Sequence, residues 1–120
     1  MKDINEIKMA LRKFASDRDW DQFHSPKNLT MALSVEVAEL MEHFQWLSEQ
    51  QSAELDAKTK AAIIDEIADI QVYLVRLADK LGVDILQAVE QKMQQNEEKY
   101  PVGKVKGSAK KYTEYHKDKK

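Results

Sequence analysis

Val35-Glu36-Val37-Ala38-Glu39, followed after a gap by Glu66-Ile67-Ala68-Asp69, decides how this chain is read. On a helix, residues three apart lie about 60° apart around one side, so each stretch aims two carboxylates in nearly one direction. Four carboxylates converging from two neighbouring helices repel one another unless something positive sits between them. A hard divalent cation with oxygen ligands answers such a cluster, and Mg²⁺ is the usual one. The rest of the sequence reads as the frame that brings the two stretches together.

That frame is expected to be all-α. The chain has 120 residues, enough for one domain, with only three glycines and two prolines and an abundance of Ala, Leu, Glu, Gln and Lys. It has no cysteine, which excludes disulfides and thiolate metal sites and agrees with a cytoplasmic setting. No apolar run approaches the roughly 20 residues of a membrane span, and the N-terminal stretch has no secretory apolar core, so no membrane partner is expected. The net charge of −2 hides an asymmetry: the last twenty residues carry seven Lys against Glu114 and Asp118, leaving −7 on the first hundred. Nucleic-acid binding asks for basic residues on the folded body, and that class is excluded.

Asp3 and Glu6 have the spacing of a capping box, and Ile4, Ile7, Leu11 and Phe14 then mark an amphipathic, core-packing helix to about Arg18. The period breaks over Asp19-Trp20-Asp21-Gln22-Phe23-His24-Ser25-Pro26, a polar loop with two large aromatics and a histidine. Those rings either anchor the loop to the core or form a wall for a planar ligand. Ser25 as N-cap and Pro26 at the first position open a second helix. Its apolar stripe runs through Leu29, Leu33, Leu40, Phe44 and Leu47. Glu36 falls inside that stripe, with Glu39 on its flank. A carboxylate on a buried face is costly unless it is paired or metal-bound; the alternative is a rim position from which it reaches water. His43, one turn after Glu39, reads as its surface partner on the helix and not as a ligand.

Leu47 to about Lys58 reads as a connector with room for a short helical turn. The next helix, carrying Ile63, Ile67, Ile70, Leu74, Leu77 and Leu81, is closed by Gly82, and Glu66, Asp69 and Tyr73 share one flank of it. Asp84 with Gln87 caps a last long helix bearing Ile85, Val89, Met93 and Tyr100, which stops before Pro101. Asn96 interrupts its apolar face. The stretch from Val102 onward, with Gly103, Gly107 and many lysines, is expected to end in a mobile basic tail.

The pattern Glu36-x-x-Glu39 with Glu66-x-x-Asp69 resembles the motif of the MazG-like nucleotide pyrophosphohydrolases, and within them the dCTP pyrophosphatase branch. Further blocks carry the resemblance: Arg18 to His24, Phe44-Gln45-Trp46, Asp69 to Leu74, Lys99-Tyr100-Pro101 and Gly107 to Thr113. It covers roughly Ile4 to Thr113, so residues 1–113 read as one domain and 114–120 as the basic tail. The resemblance implies a four-helix bundle-type fold completed by pairing of subunits into a homodimer or homotetramer. It also implies hydrolysis of a (deoxy)nucleoside triphosphate to monophosphate and pyrophosphate, as in cleaning of the nucleotide pool, with dCTP or another dNTP as substrate. Glu36, Glu39, Glu66 and Asp69 would then hold Mg²⁺ (or Mn²⁺), with Glu36 and Glu39 also acting on the water. Trp20, Asp21, Gln22, Phe23, His24, Trp46 and Tyr73 would line the nucleotide pocket, and Asn96 and Lys99 would reach phosphates. The chain departs from the family pattern at Val35, where the longer motif has a second Glu, and at Leu11, where some relatives have a base-contacting His.

Two other classes compete. A carboxylate-bridged di-iron or di-manganese bundle also gathers acids between helices, but it uses Glu-x-x-His pairs, and no His stands three residues after Glu36, Glu39 or Glu66. A non-enzymatic helical interaction module explains the stripes but neither Glu36 nor the aromatic loop.

Overall fold

The computed structural model describes residues 1–107. The tail assigned to 114–120, and most of the block from Gly107 to Thr113, lie outside the described residues. Those described are helical and contain no strand: α1 (Ile4–Asp17), a 3₁₀ turn (Asp21–Phe23), α2 (Pro26–Glu42), α3 (Glu49–Ala53), α4 (Ala57–Lys80), α5 (Ile85–Lys99) and α6 (Val102–Val105). They form two compact units, Met1–Val83 and the described residues from Asp84 onward.

The helix boundaries follow local chemistry. The Asp3, Ser25, Ser48, Asp56 and Asp84 side chains each accept the N–H three residues on, opening α1, α2, α3, α4 and α5. The expected capping box of α1 is only half made, because Glu6 accepts from the N–H of Lys2 and not from that of Asp3. A full box does form in the connector, where Ser48 and Gln51 open the five-residue α3.

Two helices end in the same hydrogen-bonding pattern with different residues at its left-handed position. At the end of α4, Gly82 has φ 67°, and the N–H groups of Gly82 and Val83 reach the carbonyls of Asp79 and Ala78. At the end of α1 the residue is Asp19, at φ 53°, with Asp19 and Trp20 donating to Ser16 and Ala15. Aspartate tolerates this conformation better than most side-chain-bearing residues. The turn it makes points the chain into the aromatic loop.

In the first unit α4 packs against both α2 and α1. Leu29, Ala15, Ile63, Val75 and Ala78 form its buried centre. The stripe read on α4 is only partly its buried side: Ile63 is covered, while Ile67 and Leu81 are more than half exposed. Two neighbours set the buried face of α4, which therefore wraps round to Val75, Arg76 and Ala78. In the second unit none of the described residues is buried, and Val89 and Met93 of the α5 stripe stand about half exposed.

Candidate active site

α2 and α4 run against each other with their acidic pairs on the shared side. Glu36 lies between Leu33 and Leu40 on the buried side of α2, and Glu39 lies one turn further on. Ligand oxygens of Glu36, Glu39 and Glu66 all lie within 4.8 Å of one another. One oxygen each of Glu36 and Glu66 is buried without a hydrogen-bond partner. Burial, then the adjoining Glu66 carboxyl and the charges of Glu39 and Asp69, push Glu36 up to about 7. Glu66 is raised as well, by burial first and by the same acidic neighbours.

A protein rarely buries polar atoms without partners, and converging acids without a counter-charge are costlier still. An all-oxygen donor set with orphaned inward oxygens fits a hard divalent cation. Asp69 lies outside the tight group of three, though its charge acts on Glu36 and Glu66. His43 is also outside it.

Asp69 also borders a second feature. A cleft of about 120 Å³ is lined by Trp20, Phe14, His24, Tyr73, Asp69 and Arg76, among others. Phe14 stands edge-on to Trp20, with ring centres 5.7 Å apart and planes at 70°, and the Arg18 guanidinium lies 3.7 Å from the Phe14 ring centre. Of the pocket residues read from the sequence, Trp20, His24 and Tyr73 meet here, joined by Asp69, which was read as a metal ligand. Asp21 and Gln22 serve the loop instead: Asp21 pairs with Arg76 and Lys80, and Gln22 donates to the carbonyl and carboxylate of Asp19. Phe23 is 59 % exposed and its carbonyl accepts from Asn28. Trp46 is 86 % exposed and lines no part of the cleft. Asn96 and Lys99 lie on α5, in the second unit.

Sequence reasoning did not assign Phe14 or Arg76 to the site. Phe14 counts as core by period, yet it lines the cleft and is 45 % exposed, and Leu11, at the place where some relatives have a base-contacting His, lines it too. Arg76 is 5 % exposed, the only charged residue buried among those described. The signal for it was an arginine amid Val72, Leu74, Val75 and Leu77, with Asp79 three residues on.

The MazG-like family model matches residues 31–115, a span that contains both acidic pairs. The chain belongs to the MazG-like family. Two mammalian relatives extend the match. dCTP pyrophosphatase 1 of Mus musculus is 44 % identical over 113 residues, which is 92 % of this chain and 66 % of that protein. The Homo sapiens protein of the same name is 40 % identical over 113 residues, with the same coverage of each. This MazG-like chain thus spans just under two thirds of the length of those relatives. The crystal structure of a pyrophosphatase from Archaeoglobus fulgidus DSM 4304 is similar at a TM-score of 0.77 and 42 % identity, over 81 % of this chain and 91 % of that one. Among the described residues, no helix of this MazG-like chain is long and apolar enough to cross a membrane.

Proposed function

We propose that this MazG-like chain hydrolyses a (deoxy)nucleoside triphosphate to the monophosphate and pyrophosphate with a divalent cation, Mg²⁺ for preference, at Glu36, Glu39, Glu66 and Asp69. The observation that carries this reading is the convergence of three carboxylates, two with unpartnered buried oxygens, one helical turn from a cleft walled by Trp20 and Tyr73. The names of the relatives support it and favour dCTP or another dNTP as substrate. Removal of unwanted nucleotides from the pool is the corresponding cellular role.

The chain's own residues divide the work. Trp20, Phe14 and Tyr73 offer faces and edges to the base, while Asp69 stands where the base end meets the carboxylates. Mg²⁺, when bound, neutralises phosphate oxygens and makes water a better nucleophile. Glu36 or Glu39 orients the attacking water and accepts its proton. The bond between the α- and β-phosphates breaks, one water is consumed, and pyrophosphate and monophosphate leave. Without the cation a body of −7 repels a triphosphate, so the carboxylates serve binding as well as chemistry.

We further propose a homodimer or homotetramer. Met31, Val35, Val37, Met41, Ile64 and Ile67 on α2 and α4 are 48–58 % exposed, more apolar surface than a lone chain of this size leaves to water. Trp46 then joins the base end only from a second copy or after rearrangement of the turn after α2.

Pyrophosphate release, measured across a nucleotide panel with Mg²⁺ and again with chelator, tests the reading. Release confined to the Mg²⁺ arm is expected. Release of inorganic phosphate alone, or none from any nucleotide, contradicts it.

The base end has its own test. Saturating nucleotide should quench Trp20 fluorescence. Trp20→Ala should raise KM more than it lowers kcat, by the roughly 1–3 kcal/mol of one stacked base. An unaltered KM returns Trp20 to packing against Phe14 alone.

A further inference from the structure

Arg76 brings a full charge into the buried side of α4 and leaves none of its three guanidinium nitrogens idle. Its Nη2 donates to Asp21, its Nη1 lies 3.6 Å from Asp79 Oδ2, and its Nε donates to His24 Nδ1 at 3.1 Å. Asp79 is clamped in turn by Arg12 of α1, whose Nε and Nη2 bond its two oxygens. The guanidinium is thereby held from α1, from its own helix and from the 20–24 loop. A buried ion pair is seldom worth more to stability than well-packed apolar side chains of the same volume. What the arrangement does supply is direction.

We propose that Arg76 is a positioning residue that holds His24 as the neutral tautomer protonated on Nε2, so that the aromatic cleft offers one fixed ring N–H donor to an acceptor on the nucleobase. This rests on the nucleotide reading given above. The chemistry is determined by the donor. A guanidinium N–H cannot accept, so the ring nitrogen facing it must carry a lone pair, which leaves the proton of the neutral ring on Nε2. His24 lines the cleft together with Trp20, Tyr73 and Asp69, so its remaining polar atom is the one left for a ligand. A fixed donor beside aromatic faces favours a base edge with an acceptor at that place and penalises one that presents a donor there.

The test begins with the free protein, where no substrate is needed. Long-range ¹H–¹⁵N correlation on histidine-labelled wild type, with His24 assigned by its loss in His24→Gln, should show Nδ1 unprotonated and Nε2 protonated. In Arg76→Lys the His24 signals should move toward a mixture of tautomers. In nucleotide assays, Arg76→Lys should raise KM about five- to tenfold with kcat nearly unchanged, the size expected for one lost or misdirected hydrogen bond. His24→Gln, which keeps an amide N–H near the place of Nε2, should lose much less than His24→Asn, which cannot reach it. A wild-type ring protonated on Nδ1, a tautomer unmoved by Arg76→Lys, or equal losses in the Gln and Asn variants would overturn the proposal. If Arg76→Lys does not fold, the wild-type tautomer and the His24 pair decide. If no nucleotide is hydrolysed, the activity reading falls while the tautomer arm still decides the role of Arg76.

Discussion

Replacing Glu39 or Glu66 with Gln is expected to lower turnover by on the order of a hundredfold or more, because loss of an outer-shell partner alone typically costs ten- to a hundredfold. Glu39 and Glu66 belong to the tight group of three carboxylates, so their variants should lose kcat at every nucleotide concentration. Asp69→Asn should behave differently in kind. Asp69 borders the cleft and lies outside the tight group, so its variant should lose kcat and also raise KM. Far-UV circular dichroism should be unchanged in all three. Near-wild-type turnover in Glu39→Gln and Glu66→Gln, with Mg²⁺ limiting, would remove the metal site from α2 and α4.

The second large effect is on stability, and its sign runs against habit. In the absence of metal, Glu36 has its carboxyl raised to about 7 from the ordinary carboxylate value of 4.5. A raised folded-state value means that the folded protein holds a proton that the unfolded chain has released. The resulting stability is complete below pH 4.5 and is lost as the pH rises through 7. Glu36→Gln keeps the shape and has no charge to lose. In chelator at pH 8 the variant should therefore melt a few degrees (about 2–5 °C) above wild type, and the gap should close as the pH falls toward 4.5. Saturating Mg²⁺ binds the folded wild type and should raise its Tm while doing far less for the variant, so the two change order or nearly so. Equal Mg²⁺ responses, with the variant less stable in chelator, would make Glu36 an ordinary hydrogen-bonded residue.

Much of this architecture was legible because short-range chemistry wrote it. Ser25-Pro26, Asp84 with Gln87, and Gly82 each mark a helix end that the structure places at the same residue or the next. The acidic motif was legible because Glu36 violates an apolar period, and such violations mark sites where another demand outweighs packing. Other features depend on which neighbour a face meets, and periodicity is silent on that. Phe14 repeats with Leu11 as a core residue should, yet it stands at the edge of α1 where Trp20 and the cleft replace the core. Ile67 sits in a clean stripe and remains 55 % exposed, because α4 turns another side toward α1 and α2. Arg76 was the least legible. Its partners Asp21 and His24 lie more than fifty residues away in sequence, and only the fold brings them to one guanidinium.

The central claim is that the α2 and α4 carboxylates hold a divalent cation. Mn²⁺ offers the most direct measurement, since its electron paramagnetic resonance signal reports free and bound metal separately without any substrate. Titrated into wild type, Mn²⁺ should occupy a site that Mg²⁺ competes for, and Glu36→Gln and Glu66→Gln should each abolish or severely weaken it. Equal Mn²⁺ binding by wild type and both variants, or none by wild type, would contradict the account.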